Sequence, residues 1–475
     1  MRVLSQLAYI LLLTCLGSSS AVAESYTLED LVARAAKSPT VAAAREARAA
    51  AHAQLRQAQL LWAPSGDILV NMYGAPNVNC NSIPEGFCLT TSVTDLAHSA
   101  YGQPLSERLP IHNFLLGFTV SVIQPLYSFG KIEALQALGE DGLAASDAQL
   151  ARDRADLVVT SVRAYWMAKT ARTELAILQS AEAQLKSWQA RIEAQLEGDN
   201  GNGYTEADVA RLKIAVVNLR GQIVDQRRVV TAAREAVRVL VDDSEADVDD
   251  AELMLVHDGP ATSLDQWEER AVLRPELRQL RAGLKASHDH HTLVLTQLLP
   301  ELVLGSGIGD GYNSFALSNR PPSGYQPQPA GALGGGLTLV LHEHLDFGAS
   351  LATLAQTRHE DLANHARAKQ ALGGIDIEIG RAWADMEEAR ARAQTTADAE
   401  RTARGWVMSV DEDIAIGVYR DLREMMESFR SWVDWRLRHV QALGDANIAW
   451  VTLRRATDLD DKDPAKVAAA VLGRR

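Results

Sequence analysis

The chain has 475 residues, with 47 Lys and Arg against 61 Asp and Glu and a formal net charge of −14. An excess of acid argues against nucleic acid or an anionic membrane surface as a partner. No run of 18 or more apolar residues follows the N-terminal leader, so any membrane role falls to a β-barrel rather than to helices.

The chain opens Met1-Arg2, runs apolar from Val3 to Leu16 and reaches the small residues Ala21-Val22-Ala23. A basic start, a short apolar stretch and an A-x-A site predict a secretory signal peptide over 1–23, cleaved before Glu24. Lipidation at Cys15 is the alternative. Cleavage takes away one positive charge, leaving a net −15 (46 − 61). The mature chain keeps Cys80 and Cys88, and export to an oxidising compartment favours a disulfide between them over two free thiols.

Residues Thr27 to Trp62 read as one helix, with Thr27 and Asp30 as its N-terminal cap, Pro39 as a kink or restart and Pro64 as its stop. A short β-branched strand, Ile68 to Tyr73, leads into a long polar loop over 75–113. Then Phe114, Leu116, Phe118, Val120 and Val122 alternate with mostly small or polar residues, the period of a strand with one bulky face. Lys131 to Leu196 reads as one helix, about 100 Å long at ~1.5 Å per residue. Its positions 143, 150, 157, 164, 171, 178, 185 and 192 are all apolar, a heptad seam that suits coiled-coil packing. The Gly/Asn-rich turn 198–203 returns the chain into a helix capped by Thr205 and running to about Leu240, so the two make an antiparallel hairpin. An acidic linker follows over 243–262.

The second half repeats this plan. It reads as a helix over 264–298, strands over 302–308 and 336–341, a long helix over 349–416, a turn at Gly417, a helix over 422–455 and a tail over 457–475. Residues repeat with it: Thr27, Pro39 and Pro64 recur as Ser263, Pro275 and Pro300, displaced by 236 (263 − 27). Phe129-Gly130 and Arg163-Ala164-Tyr165 recur as Phe347-Gly348 and Arg381-Ala382-Trp383, displaced by 218 (347 − 129). A repeat unit thus covers 24–242 and again 263–456, and the length difference falls in the middle loop. One parity conflicts. A displacement of 218 keeps a residue on its face, yet the bulky Leu337, Leu339 and Leu341 are odd-numbered where Phe118, Val120 and Val122 are even. Either a bulge shifts one strand or one face is reversed.

Helix, strand, strand, long helix, helix, duplicated behind a signal peptide, resembles the TolC-like outer-membrane factor family. Gln124-Pro125-Leu126-Tyr127-Ser128-Phe129-Gly130 is similar to that family's strand-to-helix junction, and Leu345-Asp346-Phe347-Gly348 is a weaker second version. The resemblance implies a mainly α fold with a small β part, in which long antiparallel coiled-coil hairpins join four strands that contribute to a trimeric 12-stranded outer-membrane β-barrel. It implies an exit duct of a tripartite efflux pump or type I secretion system, not an enzyme, without cofactors. Its location would be the outer membrane of a Gram-negative bacterium, extending into the periplasm. Its partners would be two further copies of itself, outer-membrane lipid, a periplasmic adaptor (membrane fusion) protein and an inner-membrane transporter. Four strands cannot close a barrel alone, which agrees with a trimer.

The second helix turn, Ile416-Gly417-Val418-Tyr419, answers to the family's adaptor-docking tips, whereas the 198–203 turn lacks the pattern. Just beyond it, Asp421, Glu424 and Glu427, preceded by Arg420 and interrupted by Arg423, occupy the place of the family's acidic inner gate. In a trimer each acid would form a ring of three that favours cations; a solvated face with the arginines pairing the acids is the alternative. His288, His290 and His291 lack the Cys or Met support a metal site would want, so no metal is assigned. Trp432 and Trp435 read as core or trimer contacts. The rival class is a periplasmic coiled-coil structural or adaptor protein without a barrel, which would carry polar residues on both strand faces.

Overall fold

Pro39 decides the first structural question. The computed structural model describes residues 25–76, 111–197, 204–255, 263–313, 334–343, 346–415 and 421–457. In it, the single helix expected over Thr27–Trp62 is two: α1 (Leu28–Ala35) ends in a turn, and α2 (Pro39–Gln59) restarts at the proline. Proline at a first helical position loses no hydrogen bond and has its φ already set, so it starts a helix more readily than it continues one. Thr27 caps α1 by accepting the Asp30 amide at 3.2 Å. The second copy does the same, with α5 (Leu264–Arg270) giving way to α6 (Pro275–Thr296) at Pro275.

The remaining elements are β1 (Ser25–Tyr26), β2 (Ser65–Pro76), β3 (Ile111–Tyr127), α3 (Lys131–Glu197), α4 (Glu206–Val241), β4 (Asp247–Val248), β5 (Glu301–Asn313), β6 (Gly334–His342), α7 (Phe347–Ala415) and α8 (Leu422–Thr457). The long helices have 67 and 69 residues. α4 begins with the Asp208 carboxylate accepting the Thr205 amide at 3.0 Å. The helix α7 runs unbroken through Gly373-Gly374.

The chain forms two compact units, each drawing on both halves of the sequence. One holds 1–51, 141–285 and 363–475; the other holds 52–140 and 286–362. The first carries the main core, in which α1, α3, α4 and α8 bury Leu31, Val162, Leu212, Val237 and Val451 completely. The heptad residues Leu150, Ala164, Ala171, Leu178, Leu185 and Ile192 are all buried. Gly444 of α8 lies so close to α3 that a methyl in its place would stand 2.4 Å from the Thr170 hydroxyl.

The second unit contains a four-stranded antiparallel sheet in the order β2-β3-β5-β6. Its register resolves the parity conflict. Pairing of β3 with β5 skips Leu126, which sits in a bulge between Pro125 and Tyr127. With that residue left out of the count, Val122 corresponds to Leu341, an odd displacement of 219 (341 − 122). The pairs Val122–Ser306 and Ser306–Leu337 place the two sets of bulky residues on one face. A bulge, not a reversed face, is the explanation.

Candidate functional site

The sheet has two chemically different faces. One carries Ile68, Val70, Met72, Phe118, Val120, Val122, Leu304, Ile308, Leu337, Leu339 and Leu341, with Ser306 among them and Asp310 opposite Phe118 toward the loop end. Ile68 and Leu337 are 75% and 77% exposed. The other face has the row Asp67–Ser121–Gly307–Gly336 and, next to it, Leu69–Thr119–Gly309–Gly334. Each bulky side chain would gain about 1.5–3 kcal/mol on leaving water, so a face of this size needs a covering medium. Among the described residues, no strand pairs with the outer edges of β2 and β6.

The strand-to-helix junction is held by the residues that carry the family resemblance. Gln124 donates its amide to the Trp62 carbonyl at 2.6 Å, tying β3 to the end of the α2 segment. Phe129 and Gly130 turn the chain through positive φ, 51° and 94°. Ser128, buried at 3%, accepts the Ile132 amide and donates to Glu133 at 3.1 Å, capping α3. Lys131 pairs with Glu301 at the start of β5. In the second copy the Asp346 carboxylate accepts the Ala349 amide at 3.2 Å to cap α7.

Of the expected gate residues, Asp421, Arg423, Glu424 and Glu427 are described, at the start of α8. The Asp421 carboxylate accepts the Arg423 amide at 2.9 Å, an N-terminal cap, and Glu424 lies in the first turn, where the helix dipole favours acid. None of Arg423, Glu424 and Glu427 forms an ion pair among the described residues, so the pairing of Arg423 with these acids is not what the structure shows. Arg423 and Glu427 instead line an open cleft with Arg211 and Arg430, floored by Ile214, Met426 and Phe429. Arg420, the docking residues Ile416, Gly417, Val418 and Tyr419, and Cys80 and Cys88 lie outside the described residues. Trp432 packs against Phe429 and under the Arg436 guanidinium. His291 contacts the Thr357 hydroxyl at 3.0 Å, and no three metal-ligating side chains converge among the described residues.

Sequence reading missed two ionic centres. The acidic stretch taken as a linker is pinned. Lys169, with 5% of its side chain exposed, pairs with Asp249 at 2.6 Å, and Tyr165 donates to the same carboxylate at 2.9 Å. Burial, then the Asp249 hydrogen bond, raise the Tyr165 phenol well above its usual range. Arg172 binds Asp250 and the Val248 carbonyl, Arg234 reaches Asp247 at 3.4 Å, and Tyr26 donates to Asp243 at 2.9 Å. The short parallel pair β1–β4 closes this clasp. A lysine on the buried, Trp-bearing face of α3, in a chain with one dense acidic run, was the available signal.

The second centre gathers Arg274, Arg455 and Glu276. Arg274, 2% exposed, donates to the Ala456 carbonyl at 3.0 Å and to Glu378 at 2.9 Å. Arg455 binds Asp156 at 2.7 Å and also Glu276. Burial alone would raise the Glu276 carboxyl, but the hydrogen bond and charge of Arg455, with Arg274 beside it, hold it down to about 2.

No protein-family model and no curated protein matches the chain in sequence. Its fold matches solved outer-membrane channels closely. The Campylobacter jejuni CmeC outer membrane channel aligns over 97% of this chain and 95% of its own, with a TM-score of 0.69 at 14% identity. The outer membrane protein VceC from Vibrio cholerae aligns over 91% and 96%, with a TM-score of 0.68 at 15% identity. CusC, a protein of transmembrane channel formation, aligns over 91% and 92%, with a TM-score of 0.69 at 13% identity. The fold is therefore that of the outer-membrane channels. In fold, the resemblance to TolC-like outer-membrane factors holds over nine-tenths of the chain.

Proposed function

We propose that the protein is one third of an outer-membrane channel-tunnel, the passive exit duct of a tripartite efflux pump or type I secretion system. The observation that carries this reading is the open sheet with one face dominated by bulky apolar side chains and the other by small and polar ones. Three copies, β6 of each pairing with β2 of the next, would close twelve strands and leave no unpaired edge in lipid, where each orphan group costs several kcal/mol. The apolar face then meets lipid and the Asp67–Ser121–Gly307–Gly336 row lines the lumen. α3 and α7 continue the duct through the periplasm.

In this reading 1–23 directs export and Cys80–Cys88 closes a disulfide in the outer loop. Ile416–Tyr419 receives an adaptor protein, itself coupled to an inner-membrane transporter. Rings of Glu424 and Glu427, with Asp421 capping α8 beside them, gate the inner end and favour cations. No residue is assigned to chemistry, and no cofactor is needed. The apolar face speaks against the rival periplasmic coiled-coil protein. Membrane fractionation with heat-modifiable migration tests the proposal. Recovery in the outer membrane as a species that shrinks to a monomer on boiling supports it; a soluble periplasmic monomer overturns it.

A further inference from the structure

The Arg274–Glu276–Arg455 centre forms one wall of a cleft of about 750 Å³, within the range of small-molecule sites. The cleft is also lined by the apolar Leu280 and Leu284 from α6 and Ile375 from α7. Four arginines, Arg152, Arg274, Arg367 and Arg455, face three carboxylates, Asp156, Glu276 and Glu378. This local excess of positive charge lies in a chain of net −14.

The arginines are unequally spent. Arg274 has a hydrogen bond from each of its three nitrogens, to Glu276, the Ala456 carbonyl and Glu378. Arg152 approaches Asp156 and Glu276 only at 3.7 and 3.8 Å, beyond hydrogen-bond reach. Arg367 donates to Asn364 at 3.1 Å through one nitrogen. Arg455 is committed to Asp156 and Glu276, and its Nη1, without a hydrogen-bond partner among the described residues, is sealed from solvent. We propose that this cleft binds a small amphiphilic anion, its carboxylate or phosphate head on Arg152 and Arg367 and its apolar body against Leu280, Leu284 and Ile375. Guanidinium groups suit planar oxyanions because they offer paired donors in a fixed fork. The inference goes beyond the duct reading and does not depend on it.

Gly283 supplies the test. It lines the cleft, and a Cβ built on it meets nothing within 4 Å, so Gly283→Phe projects a bulky side chain from the cleft wall with no clash at its Cβ. The purified full-length protein is titrated with 4-phenylbutyrate and with hexyl phosphate by calorimetry, using 4-phenylbutanol and 4-phenylbutylamine as neutral and cationic counterparts. The expected result is saturable binding of one anion per chain. It should weaken at least tenfold in Arg152→Gln/Arg367→Gln and vanish in Gly283→Phe, while both variants keep the parent's thermal unfolding. Binding of only one of the two anions names the head group. Equal binding of the alcohol or amine, no saturable binding of either anion, or undiminished binding in both variants overturns the proposal.

Discussion

Asp249→Ala should destabilise the protein far more than its partner substitution Lys169→Met. The Lys169 ammonium is almost fully buried, with Asp249 at 2.6 Å and the Tyr165 oxygen at 2.9 Å as its acceptors. Removing one partner of a buried pair costs about 3–5 kcal/mol, because the other charge is left uncompensated. Asp249 retains 22% exposure, so water partly replaces it, and about 2–4 kcal/mol is expected. Lys169→Met leaves instead a carboxylate that reaches solvent and still accepts from Tyr165, at a cost of about 1 kcal/mol. The double variant should lie within about 1 kcal/mol of the parent, a coupling of about 2 kcal/mol or more. Urea denaturation followed by circular dichroism measures the midpoints, and limited proteolysis over 242–255 reports whether the clasp has opened. Equal losses in the two single variants, or a double variant that simply adds them, would refute the reasoning.

Gly444→Ala forces a methyl against the Thr170 hydroxyl, and should lower stability by about 1–2 kcal/mol after the gain in helix propensity; adding Thr170→Ala should restore it, as melting temperatures will show. Glu276 is displaced from 4.5 to about 2, so its ionised form stabilises the folded state by roughly 3 kcal/mol. A depressed pKa contributes fully above pH 4.5 and is lost as pH falls toward 2, so the stability gap between parent and Glu276→Gln should close over that window. Leu337→Arg, on the apolar face, should block outer-membrane assembly at about 2–4 kcal/mol near the midplane. Ser121→Arg, on the opposite face, should assemble but alter conductance in planar bilayers. Glu424→Gln/Glu427→Gln should reduce the cation preference of single channels; unchanged reversal potentials would remove these residues from the gate.

Much of the candidate site was legible because it rests on short-range patterns. Period two marks the two faces of β3, and Gln124 to Gly130 marks the junction whose hydrogen bonds the structure displays. The acids after the second turn were legible as acids, but not their roles: Asp421 is a helix cap, and that depends on where α8 begins. The clasp was not legible, because an acidic run between two helical regions has the composition of a solvated linker. Only the approach of Lys169, Arg172 and Arg234 makes it a docked segment.

The helix breaks before Pro39 and Pro275 came from the structure, while the sequence by itself determined the order of elements, the repeat and the amphipathic strands. Each depends on steric limits, hydrogen bonds or hydrophobic period within a few residues along the chain. Tertiary structure decided which strand faces coincide, because one bulged residue, Leu126, reverses parity and pairing alone reveals it. It also decided the two ionic centres, whose members are separated by 80 residues in Lys169–Asp249 and 179 in Glu276–Arg455. A charge in isolation prefers water, and only the packing of distant helices that removes the water fixes which opposite charge must replace it.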